Sequence, residues 1–289
     1  MNQVTEGKIP VTGGNVWYRI TGRSVGTPLL VMHGGPGGSS VEDDVLRTLS
    51  DERPVIHYDQ LGSGQSDRPH DPSLWNVARF VEELGQVRAA LHLDEVHLLG
   101  HSWGTMLAAS YLLTQPTGVK SIIFSSPALS ARLWENDQRE YLKAFPETIQ
   151  HAVEKNEREG TTNAKDYQEA MMAFYNRHLC RLEPWPNAMV QMMDDMNMEV
   201  YGIMWGASEF TVTGSLRTFD VTKQLHEIKL PSLFLCGRYD EATPHTTQYY
   251  ASLIPDSEFH VFEHSSHMTF LEEPETYAAK VRSFLNRHE

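Results

Sequence analysis

The pentapeptide Gly100-His101-Ser102-Trp103-Gly104 decides the fold of this chain. The apolar run before it, residues 96–99, is typical of a buried strand, and residues 105–113 after it have the pattern of a helix. A serine at a strand-to-helix corner takes a strained backbone conformation that raises its hydroxyl above the sheet. Glycines on both sides let the strand and the helix approach closely, because a larger side chain would clash. The segment therefore predicts that Ser102 is an exposed nucleophile.

Strand and helix patterns alternate on both sides of this corner. The apolar runs that predict further buried strands lie at residues 29–32, 55–58, 121–124, 232–236 and 259–262. The helical patterns lie at residues 75–91, after Thr243-Pro244, and from Pro274 to about Asn286, and residues 8–20 predict a β-hairpin. This alternation predicts an α/β fold with a mostly parallel sheet that is covered by helices on both faces.

The alternation stops between residues 129 and 220, where the patterns are helical and strand signals are nearly absent. Eight of the twelve methionines lie in this stretch. Four of them have helical spacing, which predicts ordinary packing: Met189, Met192, Met193 and Met196. A helical insert between two parts of one sheet is a lid, so we expect a first core segment at 1–128, a helical lid at 129–220 and a second core segment at 221–289.

The composition excludes several classes of partner. The 24 basic and 38 acidic residues give a formal charge of −14, which argues against nucleic acids and anionic membranes. No apolar run approaches the roughly 18 residues that a spanning helix needs, and the start of the chain lacks a signal-peptide pattern. Cys180 and Cys236 lie far apart, so we expect reduced thiols in a cytoplasmic protein. No ligand spacing indicates a metal, and we expect no cofactor. The oligomeric state stays open.

The serine corner within alternating strands and helices resembles the nucleophile elbow of the α/β-hydrolase fold. In that fold a catalytic acid and then a histidine follow the serine, each in a loop after a later strand. The corresponding loops offer Asp240 as the acid and either His264 or His267 as the base. A serine hydroxyl needs such a base to take its proton. The sequence therefore predicts a triad of Ser102, Asp240 and one of these two histidines.

The oxyanion of an acyl-transfer reaction needs two hydrogen-bond donors. The backbone N–H of Trp103, directly after the serine, is the first candidate, and the N–H of Gly35 in the glycine-rich loop 33–38 is the second. This loop lacks the Gly-Lys-Ser/Thr ending of a phosphate-binding loop. Residues 62–64 form a Gly-x-Gly that lacks the third glycine of a dinucleotide-binding motif. The glycine-rich loops therefore favour an oxyanion hole and a pocket floor.

With these motifs in place the chain resembles the proline iminopeptidases, which are serine peptidases of the α/β-hydrolase fold, nearly from end to end. The motifs that carry the resemblance lie at residues 33–38, 58–67, 100–104, 204–210, 237–244 and 265–268. Two positions depart from the family pattern, because His101 stands where relatives often carry glutamine and Ala207 where proline is frequent. The resemblance implies that His267, rather than His264, is the base.

The resemblance also implies a substrate with a free amino terminus, namely a short peptide or an amide that loses its N-terminal proline through an acyl-enzyme. It assigns Glu209 and Glu241 to the binding of the substrate ammonium. A terminal proline presents two N–H donors on its secondary ammonium, and two carboxylates can accept one each. Beside Glu209, the lid residues Met204, Trp205 and Phe210 are expected to hold the pyrrolidine ring or another apolar side chain.

Other activities stay open from the sequence alone. The same residues would serve an L-amino acid amidase or a broader aminopeptidase, since the carbonyl and the ammonium are placed alike. An esterase or lactonase would use the same core, but the paired glutamates would then have no purpose. A non-catalytic binding protein on this fold would not need an intact serine, aspartate and histidine. Labelling of Ser102 by a fluorophosphonate distinguishes the enzymes from that binding protein.

Overall fold

The computed structural model describes residues 3–23 and 25–289. Its sheet has eight strands: β1 (Val4–Val11), β2 (Gly14–Thr21), β3 (Leu29–Met32), β4 (Val55–Tyr58), β5 (Val96–His101), β6 (Val119–Ser125), β7 (Ser232–Gly237) and β8 (Ser257–Phe262). Their order is β1-β2-β4-β3-β5-β6-β7-β8. The pairs β1–β2 and β2–β4 are antiparallel, and every other pair is parallel. The predicted hairpin, strands and mostly parallel sheet are therefore confirmed.

The α-helices of the described residues are α1 (Val77–Ala90), α2 (Trp103–Leu112), α3 (Ala131–Leu142), α4 (Glu147–Glu159), α5 (Lys165–His178), α6 (Asn187–Asp195), α7 (Met198–Met204), α8 (Pro244–Ser252), α9 (Thr269–Glu272) and α10 (Pro274–Arg287). Short 3-10 helices lie at Ser40–Leu49, Pro72–Leu74, Ser215–Thr218 and Leu225–Glu227. None of the helices in residues 3–23 and 25–289 combines the length and the apolar character that a membrane span requires.

The strands β3, β4, β5 and β7 are buried at every position because helices cover both faces of the sheet. Successive side chains of a strand point to opposite faces. In β3, Leu30 and Met32 accordingly join an apolar cluster that contains residues of α1 and α2. Leu29 and Val31 join a second cluster that contains residues of α10. The sheet is thus packed on both sides, and its loops at the carboxyl ends of the strands are left to form a site.

Helices α3 to α7 lie between β6 and β7 in the sequence, within the stretch 129–220 that we expect to be a lid. The two ends of this stretch meet. Ser130 and Asp220 form an isolated antiparallel bridge, and the N–H of Val221 donates to the carbonyl of Leu129 at 3.1 Å. The chain therefore leaves the core and returns to it at one place. This arrangement suits a lid inserted into a single fold, and the division into a core and a lid stays a prediction.

At the serine corner the backbone of neighbouring segments approaches Gly100 and Gly104 closely, as these glycines predict. A Cβ added to Gly104 would lie 2.2 Å from the carbonyl oxygen of Met32, and one added to Gly100 would lie 2.3 Å from the carbonyl oxygen of Gly104. Between them Ser102 has φ 52° and ψ −120°, a conformation that residues with a Cβ rarely adopt. The corner therefore holds the serine in a strained conformation between two positions that admit only glycine.

We expect Gly104→Ala to lower the free energy of unfolding by about 2–3 kcal/mol, because the facing backbone of β3 cannot move without disturbing the sheet. Gly202→Ala is the matched control, since a Cβ added to Gly202 in α7 meets no atom within 4 Å. That control should gain about 0.5–1 kcal/mol. Urea unfolding of both variants measures the difference. Equal stabilities would contradict the close contact of α2 with β3.

Candidate active site

A cavity of about 300 Å³ lies where the carboxyl ends of the central strands meet the lid helices. It is lined by residues that follow four different strands: Gly34 and Gly35 after β3, Ser102 after β5, Glu241 after β7 and His267 after β8. Glu209 joins them from the lid. A cavity of this size lies within the range of small-molecule sites. The fold thus brings the predicted serine, histidine and both glutamates to one place.

The two predicted oxyanion donors flank Ser102. Trp103 is the first residue of α2, so its N–H has no partner within the helix and lies at the positive end of the helix dipole. Gly34 lies against the serine from the other side, since a Cβ added to it would be 3.3 Å from the Cβ of Ser102. Gly35 follows with φ 119° and also lines the cavity. Both predicted donors therefore belong to segments that adjoin the serine.

Asp240 is fully buried and accepts a hydrogen bond from His267 Nδ1 at 2.7 Å. The same carboxylate accepts three more bonds, from the N–H of Ala242 at 2.7 Å, the N–H of Gly237 at 3.2 Å and the hydroxyl of Ser126 at 2.7 Å. These contacts fix its orientation, and its bond to Nδ1 leaves Nε2 of the histidine to face the cavity. The structure therefore pairs Asp240 with His267, while His264 is exposed.

Ser126 is a residue that the sequence analysis missed. It follows β6 as Ser102 follows β5, and its φ of 50° is nearly that of the catalytic candidate. Its hydroxyl lies within hydrogen-bond distance of both the Asp240 carboxylate and the carbonyl of His267, at 2.7 Å and 3.1 Å. The sequence signal for this position is a serine directly after a predicted parallel strand, in Ser125-Ser126-Pro127.

Glu241 lies closer to the histidine than expected. The sequence suggests that Asp240 faces the histidine and Glu241 the substrate, but Glu241 Oε1 also lies 3.5 Å from His267 Nε2. Within the described residues no hydrogen bond joins the hydroxyl of Ser102 to this histidine, and such bonds are often long in unliganded enzymes. A ligand of Glu241 therefore necessarily lies beside the ring nitrogen that would accept the serine proton.

Both glutamates line the cavity, where Glu241 is buried and Glu209 is half-buried. Burial raises the pKa of Glu209, and burial together with the charges of Glu209 and Asp240 raises the pKa of Glu241 well above its usual range. The Tyr201 hydroxyl donates to Glu209 Oε1, whereas Glu241 Oε2 is buried without a hydrogen-bond partner. Among the described residues that line the cavity there is no lysine or arginine. The electrostatics of the cavity therefore favour a cationic ligand.

The apolar wall of the cavity differs from the expected one. Met204, Trp205 and Phe210 are buried but do not line it. Trp205 packs edge-on against Trp134 at 5.6 Å, and Phe210 packs against Phe174 at 4.8 Å, so core packing takes these side chains away from the cavity. Methionines of the lid line it instead, namely Met171, Met192, Met193, Met196 and Met198. The prediction that Met192, Met193 and Met196 serve only in packing is therefore corrected.

The lid also supports the loops of the candidate triad. The carbonyl of His178, at the end of α5, accepts the N–H of Glu241 at 3.3 Å and the N–H of His267 at 3.1 Å. The hydroxyl of Tyr141 in α3 donates to the carbonyl of Asp240 at 3.1 Å. No short motif in the sequence marks either of these two residues. Two helices of the predicted lid therefore hold the loops of Asp240, Glu241 and His267 in place.

Cys180 and Cys236 are both buried free thiols, and neither lines the cavity. Burial raises the pKa of the Cys180 thiol to about 11, which leaves it in the unreactive thiol form at neutral pH. In the described part of the chain, no group of three or more His, Cys, Asp or Glu residues is arranged to hold a metal ion.

Comparison with known proteins agrees with this geometry. Residues 27–274 match the family model of the alpha/beta hydrolase fold. A proline iminopeptidase of Heyndrickxia coagulans is 55% identical over 284 residues, which cover 98% of this chain and 99% of the relative. One from Clostridium botulinum is 39% identical, covering 99% of this chain and all of the relative. The crystal structure of proline iminopeptidase from Mycobacterium smegmatis superimposes with a TM-score of 0.90 at 35% identity, covering 98% of each chain. The chain therefore belongs to the proline iminopeptidase family of α/β-hydrolases.

Proposed function

We propose that this protein is a serine aminopeptidase that releases N-terminal proline from short peptides or amides through an acyl-enzyme. The observation that carries the proposal is the presence of two carboxylates, the half-buried Glu209 and the buried Glu241, in one cavity with Ser102 and His267. Buried carboxylates are costly unless a cation or hydrogen bonds offset their charge. The ammonium of a substrate whose carbonyl reaches Ser102 supplies that cation. Membership of the proline iminopeptidase family supports the same assignment.

The hydrogen bonds of the two glutamates favour an amine with two donors. Tyr201 donates to one oxygen of Glu209, and this carboxylate lines the cavity, where a ligand can reach it. Glu241 Oε2 is buried without a partner. A prolyl ammonium has two N–H donors, and each can form a charge-assisted bond with one carboxylate. An acetylated proline has neither the positive charge nor the donors, so we expect it to be rejected.

In the proposed reaction Ser102 Oγ attacks the carbonyl carbon of the N-terminal residue, and His267 Nε2 accepts the hydroxyl proton. Asp240 holds the imidazole tautomer through Nδ1 and stabilises the imidazolium. The N–H groups of Trp103 and Gly35 bind the oxyanion. The histidine then gives its proton to the leaving amine, and the acyl-enzyme forms. Water attacks this ester with the same histidine as base, which releases the free amino acid and restores the serine.

The methionine wall favours a second candidate, a broader aminopeptidase or L-amino acid amidase with the same site. The cavity of about 300 Å³ exceeds the needs of a pyrrolidine ring. Methionine side chains are flexible and polarisable, so they adapt to apolar groups of different shapes. The two candidates share the ammonium site and the triad, and they differ only in how strictly the wall selects proline.

The test is the relative rate on prolyl, alanyl and phenylalanyl arylamides, on prolinamide, and on an N-acetylprolyl arylamide. We expect the highest kcat/KM with the prolyl arylamide. The acetylated control should be at least about 100-fold slower, because two hydrogen bonds to charged groups are lost. Equal rates on acetylated and free substrates would contradict the ammonium site. Equal rates with phenylalanyl and prolyl substrates would instead favour the broader enzyme.

A further inference from the structure

A buried hydrogen-bond network joins the segments of the two proposed oxyanion donors. It consists of His33, Gln60 and Trp103, each no more than 1% exposed. The backbone N–H of Gln60 donates to His33 Nε2 at 3.0 Å, and the Gln60 side-chain amide donates to the His33 carbonyl at 3.1 Å. The Gln60 side-chain carbonyl accepts the indole N–H of Trp103 at 2.8 Å. One side chain therefore links the glycine-rich loop to the residue after the nucleophile.

These contacts determine which nitrogen of His33 carries the proton. A backbone N–H can only donate, so Nε2 must accept and must be unprotonated. Burial lowers the pKa of His33, which favours the neutral ring, and its single proton then resides on Nδ1. Nδ1 lies 2.8 Å from the carbonyl oxygen of Gly34. The ring of His33 therefore donates to the Gly34 carbonyl.

The Gly34 carbonyl belongs to the same peptide unit as the N–H of Gly35. In a trans peptide the C=O and N–H bonds point in opposite directions within one plane. Because the His33 ring holds the carbonyl on the buried side, the N–H of Gly35 is turned to the other side, toward the cavity that Gly35 lines. The hydrogen bond from the His33 ring to the Gly34 carbonyl thus sets the direction of the Gly35 N–H, which the ring itself does not contact.

We propose that His33 is a positioning residue that directs the Gly35 N–H at the oxyanion, and that Gln60 keeps the ring in the required tautomer and aligned with Trp103. The inference rests on the proposed function in one respect, since it requires acyl transfer at Ser102 with these two donors. Oxyanion holes act through donors that are oriented before the reaction, so a loosened peptide unit weakens transition-state binding more than substrate binding.

The test compares His33→Asn with His33→Leu, two substitutions of nearly equal shape. The asparagine amide places an N–H near the position of Nδ1, and leucine has no donor. We expect His33→Leu to lower kcat on the prolyl arylamide by about 10- to 30-fold with an unchanged KM, less than the loss of a whole oxyanion donor. His33→Asn should stay within about 3-fold of the parent enzyme. Equal losses in the two variants, or a loss confined to KM, would overturn the proposal.

Inhibitors separate orientation of the donors from general damage. An aldehyde analogue of proline forms a tetrahedral adduct with Ser102, whereas pyrrolidine can bind only through its ammonium. In His33→Leu the inhibition constant of the aldehyde should rise in proportion to the loss of kcat, and that of pyrrolidine should stay constant. Fluorophosphonate labelling of Ser102 should slow as well. Because labelling needs no free amine, it tests the inference even if the enzyme does not select proline.

Two further measurements decide the proposal if neither variant folds. Nitrogen-15 NMR of the parent enzyme identifies the protonated ring nitrogen of His33, and a proton on Nε2 would overturn the inference. Gln60→Met keeps the backbone N–H and removes both side-chain bonds. We expect it to lower kcat by about 3- to 10-fold without a change in KM. An unchanged kcat would refute the role proposed for the Gln60 side chain in aligning His33 with Trp103.

Discussion

Replacing Ser102 with alanine should lower kcat on a prolyl arylamide by about 10⁴- to 10⁶-fold with little change in KM. The substrate ammonium would still bind to the glutamates, so the ground-state complex is preserved. Without the hydroxyl no acyl-enzyme forms, and only direct attack by water assisted by the oxyanion donors is left. Initial rates with the arylamide, together with fluorophosphonate labelling followed by mass spectrometry, measure the effect.

The control for this variant is Ser252→Ala, because Ser252 is an exposed residue of α8 whose hydroxyl donates to the nearby carbonyl of Tyr249. This control should have the same rate on the prolyl arylamide and the same fluorophosphonate labelling as the parent enzyme. Asp240→Asn should also lose about 10⁴-fold, since an amide N–H facing Nδ1 favours the wrong tautomer of His267. Labelling that persists after Ser102→Ala would show that another residue is the nucleophile.

Replacing Glu209 with glutamine should lower kcat/KM on the prolyl arylamide by about 10- to 100-fold, which corresponds to the loss of about 1–3 kcal/mol of transition-state binding. The physical reason is that a neutral amide cannot balance the charge of a buried ammonium. Glu241→Gln should have a similar effect on amine binding, but Glu241 also lies beside His267 Nε2. Glu209→Gln is therefore the cleaner test of substrate selection.

The matched control is Glu140→Gln, because Glu140 lies on α3 with its side chain 70% exposed and paired with Lys143. It should leave every rate unchanged. The slow hydrolysis of the N-acetylprolyl arylamide should be the same in Glu209→Gln as in the parent, so the selectivity for free amines should collapse. A variant that loses activity on free and acetylated substrates alike would contradict ammonium recognition.

The pH dependence gives an independent measure of the same site. Burial raises the pKa of Glu209 and of Glu241, so the pair takes up protons at a higher pH than ordinary glutamates. Ammonium binding needs the ionised carboxylates. We therefore expect kcat/KM for the prolyl arylamide to fall as the pH decreases through these raised values, more steeply than the rate of fluorophosphonate labelling. In Glu209→Gln the pH dependence of kcat/KM should be closer to that of the labelling rate.

The proposed active site depends on the lid for its geometry. The carbonyl of His178 binds the loops of both Glu241 and His267, and Tyr141 binds the loop of Asp240. A rotation of the predicted lid would break these contacts with the loops of the candidate triad.

The elbow, the alternation of strands and helices and the family were predictable from the sequence because each depends on local patterns. A side chain at Gly100 or Gly104 would clash with the backbone that packs against the corner, so the two glycines mark it in the sequence. Runs of apolar residues mark strands that are buried on both faces. The acid and the base follow from the rule that catalytic loops come after successive strands, which left only the choice between His264 and His267 to the family resemblance.

Only the tertiary structure decided which side chains meet across long stretches of chain. Ser126 reaches Asp240 over a separation of 114 residues, and Gln60 reaches Trp103 over 43. The direction of a side chain on a lid helix likewise depends on what the core already fills, which is why Trp205 packs inward and lid methionines line the cavity. Local periodicity carries no information about such contacts, because they arise only when separate elements pack together.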